Sequence, residues 1–285
     1  FPARLFLKSV GVSTIRYADL PSSREPLLLN KLEQYQVRDF LLQQEQEIEP
    51  NLMLDRLPVG KTQQATWLGS QQEQQLLQER LLQLGKELTP VTQQSLQFSP
   101  ELIIHINVPQ VPHSSYWLSM QSSSASEKRR AQIWLEYLLW LAYLNDDACS
   151  PELERIVIFS NKTLKFSGLS SSKAHEYLQL WLKAWKIGQQ QPLVLPAELL
   201  MKKEWQWAEN EHGKMTIVEM PELLKAWNNS YESAKPLASD ESSLLHQDWQ
   251  FILQDQDPDL ALQNCCHDFA HGLYAPIHQH LEWVK

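Results

Sequence analysis

His267 and His271, in the run CCHDFAH, stand four residues apart and would share one face of a helix, a spacing that can bind Zn²⁺. The adjacent Cys265 and Cys266 point to different faces, and no second ligand pair stands at zinc-finger spacing. The reading is therefore a helix that packs its Cys residues and Phe269 inward and carries His at its surface, with no metal. Val59 to Thr62 reads VGKT, which matches the end of a loop whose backbone N–H groups and Lys cradle phosphates. That loop also needs a glycine where Asp55 stands, and an apolar strand before it that LMLDRLP does not make, so the match is one of chance. Lys128, Arg129 and Arg130 form a run of cations directly after the polar loop SSSASE. The run could form a solvated first turn or contact DNA or another subunit, and the mild penalty on positive charge at a helix N-terminus slightly favours contact. Trp181 and Trp185 lie four apart on one helix face. Trp205 and Trp207 lie two apart and cannot share one, so they and Trp227 are candidates for an exposed partner surface, where aromatic residues are enriched.

The elements that would hold these residues can be read from periodicity and breakers. An apolar helix is expected over Phe1–Val10 and a loop over 18–30, with Pro21 and Pro26. Helical spacing follows in LEQYQVRDFLLQQ, through Leu32, Tyr35, Val37, Phe40 and Leu41. A turn with Pro58 and Gly60 precedes a helix over about Gln71–Leu88. Strands are expected at about 91–98, 101–109 and 115–121, a helix at 127–145 and a short strand near 155–160. A helix over 171–188 stops at Gly188 and Pro192, and the remainder reads as helices at about 197–210, 218–229, 243–254 and 259–284. The Gln-rich run from Gln71 is a solvated helix face, because Leu recurs in it at helical spacing.

Composition limits what such a chain can do. With 285 residues, 43% hydrophobic content and eleven Trp, the sequence describes a packed globule. A net charge of -9 opposes free binding to nucleic acid, which is driven by Lys and Arg neutralising phosphates. Three Cys make no disulfide framework and suit a reducing cytoplasm, where the protein is expected to reside. No apolar run reaches membrane-spanning length. The opening at Phe1 reads like the interior of a protein, so a segment of a larger chain is expected.

Residues 99–144 give a strand, a second strand and a long apolar helix, a pattern similar to the core of PD-(D/E)xK nucleases. Those enzymes hold Mg²⁺ between an Asp on one strand and a D/E-x-K pair on the next, since hard cations need anionic oxygens and the Lys orients the attacking water. On that pattern the Asp position falls on Asn107, the second acid on Ser119 and the Lys on Gln121. Two neutral amides and a hydroxyl hold Mg²⁺ poorly. The expected fold is therefore α/β (α+β), a nuclease-like core with a small mixed sheet flanked by helices, a degenerate catalytic site and a helical C-terminal part. Asn107, Ser119 and Gln121 should cluster near one sheet edge. The segments would be a helical N-terminal part at 1–90, the core at 91–190 and the extension at 191–285, together one integrated domain.

Motifs along the whole length carry a second resemblance. They are the opening FPARLFLKSVGV, then Glu25, Pro26, Leu29, Leu32, Tyr35 and Val37 in REPLLLNKLEQYQV, and the turn LPVG at Leu57–Gly60. WLEYLLW follows with Trp134 and Leu138, then a helix ending through Leu180, Gly188, Pro192, Leu193 and Pro196, and lastly Tyr274, Pro276 and Leu281. In order and spacing these resemble the C-terminal domain of RecC, the gamma subunit of exodeoxyribonuclease V (RecBCD). The resemblance implies a non-motor, non-cutting scaffold whose C-terminal domain is a nuclease-like fold lacking the metal site. It also implies RecB-like and RecD-like subunits and an entering DNA duplex as partners, Chi recognition by helicase-like domains upstream, and no cofactor.

The competing reading is an active Mg²⁺-dependent nuclease whose carboxylates are misaligned, with Glu101 or Glu136 serving. No D/E-x-K tripeptide stands on the strand before the long helix, which disfavours it. A helical partner-binding protein would follow if 101–121 proved helical.

Overall fold

In this computed structural model the described residues are 6, 9–11, 29, 31–42, 57–58, 61–110, 115–232, 249, 251–253 and 256–284. The loop at 18–28, the motif residues Glu25 and Pro26, Val59 and Gly60 of VGKT, and most of the helices expected at 1–10 and 243–254 lie outside them. In chain order the first elements are α1 (Lys31–Leu42), α2 (Lys61–Leu84), β1 (Val91–Ser99), β2 (Leu102–Pro109) and β3 (Tyr116–Gln121). Then come α3 (Glu127–Leu144), a 3₁₀ turn at Ser150–Glu152, β4 (Glu154–Phe159), β5 (Thr163–Phe166) and α4 (Ser171–Gly188). The last are α5 (Ala197–Leu200), β6 (Trp207–Glu209), β7 (Met215–Ile217), α6 (Met220–Glu232), α7 (Pro258–Cys265), a π-helical turn at Cys266–Ala270, α8 (His271–His280) and β8 (Leu281–Val284). The fold is mixed α/β, as expected.

The chain forms two compact units that interleave along the sequence and so cut across boundaries at 90 and 190. One is built from segments within 16–126, 148–168 and 281–285, the other from segments within 1–15, 127–147 and 169–280.

The first unit is centred on a four-stranded mixed sheet ordered β3-β4-β5-β8. β3 and β4 run parallel with Leu118 opposite Ile156, while β5 is antiparallel to both β4 and β8. Alternation sends Tyr116, Leu118 and Met120 to one face, where Leu118, Ile156 and Ile158 pack with Leu77, Leu81 and Leu84 of α2. α1 packs along α2 through Val37, Leu41 and Trp67, beside an Arg38–Glu73 ion pair of 2.6 Å. α2 begins ten residues before the expected start and ends at Gly85, whose φ of 59° suits the residue after a helix. Across the sheet, Lys86, Glu154, Lys165 and Glu282 form a chain of ion pairs of 2.6 to 3.3 Å. Burial pushes the Glu154 carboxyl up, but hydrogen bonds and charge from Lys86 and Lys165 outweigh it and hold the pKa below the ordinary value. β1 and β2 form a separate antiparallel sheet of two strands.

The second unit is helical. α3 buries Ile133, Trp134, Tyr137, Leu138 and Leu141 at i, i+3, i+4 spacing, together with Trp140 and Ala142. Ser170 caps α4 by accepting the Lys173 amide, and the Asp147 carboxylate accepts the Ser172 amide at 2.7 Å and the Ser172 hydroxyl. These bonds hold the Asp147 pKa below its usual range. Asp257 caps α7, with Pro258 at the first helical position. The helix expected at 197–210 is only the short α5; its end is instead β6, which pairs with β7 in a hairpin turned by Asn210 and by Gly213 at φ 71°. Residues 281–284, expected as helix, are the strand β8.

Candidate functional site

Ser119 and Gln121, two of the residues expected at degenerate nuclease positions, lie at the end of β3. Ser119 and Gln121 lie on the same face as Trp117, which is buried, and stand opposite Val157 and Phe159 of β4. Both neighbours are fully buried, so this face of the parallel pair is apolar around its few polar atoms. Beneath the Trp117 ring, Arg155 lies with its guanidinium carbon 4.0 Å from the ring centre and donates to the Trp117 carbonyl at 3.2 Å. Just past the strand ends, the Ser160 amide donates to the Ser123 carbonyl and the Ala125 amide to Asn161 Oδ1. Ser119 Oγ, Gln121 Oε1, Ser122 Oγ and Ser123 Oγ are buried and make no hydrogen bond to described residues. Arg80 of α2 donates through Nη1 to the carbonyls of Phe159 and Ser160, at 2.6 and 2.8 Å. Arg80 thus reaches the end of β4 from the face that α2 covers, opposite the face of Ser119 and Gln121. Sequence reading passed over Arg80, which only the packing of α2 brings there.

Asn107 does not join this group, which corrects the expected clustering. It is exposed on β2, opposite Gln93, in the separate two-stranded sheet. What reaches β3 is the segment leading into β1: the Thr89 amide donates to the Leu118 carbonyl, and Thr89 Oγ1 accepts the Leu118 amide. β2 therefore lies on the far side of β1 from that junction. The physical reason is register: β1 and β2 pair almost end to end as a ribbon, so β2 is spent on β1. Glu101 is exposed in the turn of that ribbon, and Glu136 on α3 accepts from Gln132. Among the described residues no group of three or more His, Cys, Asp or Glu is placed to hold a metal ion.

The other candidates are in the helical unit. Lys128 is exposed, 3.9 Å from Glu198, and Arg129 donates to Gln132. Arg130 is buried, donating to Glu127 at 2.9 Å and to the Met201 carbonyl at 3.1 Å, so it cannot present its charge to a phosphate backbone. The expectation of three solvent-facing cations is corrected to two, because helical rotation turns the third inward beside Trp134. The expected exposure of the tryptophans is also corrected. Trp205 and Trp227 are buried, the latter edge-on to Trp249, and Trp207 is half-buried. Trp227 shares the buried face of its helix with Leu223 one turn before it, whereas Trp185 and Trp283 are exposed.

Histidines of the CCHDFAH run take different partners, His267 Nε2 meeting Thr216 Oγ1 and His271 lying edge-on to Trp207. Burial pushes the Cys266 thiol up to about 12, so it is inert at neutral pH. Cys265 Sγ accepts the Val194 amide.

The sequence matches the family described as RecC C-terminal domain over residues 1–212, which takes in the β3 end and α3. The chain belongs to the RecC C-terminal domain family. Membership points to a component of the RecBCD complex, exodeoxyribonuclease V, and with it to DNA repair. No curated protein matches the chain. The RecC-like closing motif of Tyr274, Pro276 and Leu281 falls beyond the matched residues, as does the second half of the β6–β7 hairpin. No helix among the described residues is long and apolar enough to cross a membrane.

Proposed function

We propose that this RecC-type domain is a non-catalytic scaffold of the cytoplasmic RecBCD helicase–nuclease, contacting RecB-like and RecD-like subunits and guiding the incoming duplex. The observation that carries the reading is the set of neutral side chains at the end of β3. On the nuclease pattern Ser119 and Gln121 take the positions of an acid and a lysine, and both lie on one face of β3. Neutral oxygens do not offset the cost of dehydrating Mg²⁺. The net charge of -9 and the loss of Arg130 from the cation run support duplex contact only within an assembly that supplies positive surface.

The reading is tested by incubating the chain with linear duplex DNA in Mg²⁺ or Mn²⁺, with EDTA as control. No metal-dependent cleavage is expected, and the Ser119→Glu/Gln121→Lys double variant stays inactive as well, since Asn107 belongs to another sheet. Cleavage by the unmodified chain that EDTA abolishes would establish the alternative, a nuclease using carboxylates elsewhere.

A further inference from the structure

Within the helical unit, the segment after α5 and the α8 helix enclose a cleft of about 40 Å³ lined by Glu204, Trp205, Trp207, Tyr274 and His278. Three of these are aromatic, and Glu204 is an exposed carboxylate that forms no ion pair with any described residue. The neighbouring charges are already used: Lys203 pairs with Glu219 and Glu222, and Lys214 with Asp268. Trp205 already takes an ammonium, with Lys203 Nζ 4.3 Å from its ring centre. His278 Nε2 is buried and makes no hydrogen bond. Burial and the charge of Arg130 hold the His278 pKa below its ordinary value against the opposing pull of Glu204, so at neutral pH the ring is uncharged and one nitrogen offers a lone pair.

We propose that this cleft is a docking site for an arginine side chain of a partner polypeptide, its guanidinium seated against Trp205, Trp207 and Tyr274 and paired with Glu204. The proposal rests on the scaffold reading above. The guanidinium is planar, weakly hydrated and suited to stacking on aromatic faces, and its fork of donors matches a carboxylate. His278 Nε2 supplies a second acceptor in the tautomer that carries its proton on Nδ1. Size favours the same occupant. At roughly 10–15 Å³ per water-sized group, the cleft has room for about three or four such groups, the count of heavy atoms in a guanidinium and at most half that of a nucleobase. Charge points the same way, because Glu204 and the net charge of -9 repel a phosphate-bearing ligand. The run Glu204-Trp205-Gln206-Trp207 was the sequence signal, and its meaning required α8 to bring Tyr274 and His278 opposite.

The test is a ¹⁹F NMR titration of the whole chain labelled with 5-fluorotryptophan, with Trp205→Phe and Trp207→Phe variants assigning the two signals. N-acetyl-arginine amide is expected to shift both signals saturably in the millimolar range. Glu204→Gln, which removes an exposed charge and leaves the fold intact, should weaken that binding about fivefold or more. N-acetyl-glutamate amide and thymidine monophosphate should leave both signals in place. The proposal is overturned if arginine causes no saturable shift, if Glu204→Gln binds equally well, or if thymidine monophosphate binds better. Parallel measurement of assembly with RecB and RecD separates the two readings. Intact assembly without arginine binding sinks the cleft alone, whereas arginine binding without assembly sinks the scaffold.

Discussion

Replacing Trp134 with Ala is expected to cost about 3–5 kcal/mol of stability, the largest loss from any single substitution considered for the helical unit. Trp134 is fully buried, its ring centre 6.1 Å from that of Tyr137, 6.0 Å from Tyr177 and 5.7 Å from His280, with which it stacks. Those contacts tie α3 to α4 and to the end of α8, so truncation leaves a cavity that three helices must close on. Close packing lets them do so only in part, which adds a cavity cost to the lost transfer free energy. Trp134→Phe keeps most of the ring and should lose much less. Urea unfolding followed by far-UV circular dichroism reads both values. A loss under about 1 kcal/mol for the Ala variant would contradict the burial of this ring.

Arg130→Ala is expected to cost about 1–3 kcal/mol, whereas Lys128→Ala should stay within about 0.5 kcal/mol. The side chain of Arg130 is 9% exposed, against 46% for Lys128. Removing the buried guanidinium takes away the donor to the Met201 carbonyl and the partner of Glu127, while the Lys128–Glu198 pair at 3.9 Å lies in water and is screened. The same pair of variants separates a structural role from a phosphate-binding one. Equal and small stability losses, together with equal losses of DNA affinity, would restore all three cations to a binding surface.

What the sequence disclosed was local. The alternation in β1 to β3 and the helical spacing of Ile133, Trp134, Tyr137 and Leu141 are each set within a dozen residues, so the observed elements agree with expectation to within a few positions. What it hid was pairing. Leu281–Val284 continues a helical run in sequence, but becomes a strand because β5 waits for it, with Lys165 facing Glu282 and Lys162 over Trp283. The three-residue strands β6 and β7 are too short to show alternation and exist through their turn at Asn210 and Gly213. The nuclease pattern puts Asn107 and Ser119 on neighbouring strands, but nothing local says which sheet a strand joins. The absence of an acid and a lysine from β3 was legible, since it depends on residue type alone. The neighbouring Arg80 was not, since it depends on how α2 lies along the sheet.

The proposed role for this RecC-type domain is contact and not cutting. Sedimentation velocity of the chain mixed with purified RecB and RecD subunits tests it most directly. A faster-sedimenting complex that contains the chain is expected, forming equally well in Mg²⁺ and in EDTA. A chain that sediments alone with both subunits present, or that associates only when a divalent metal is bound, would contradict it.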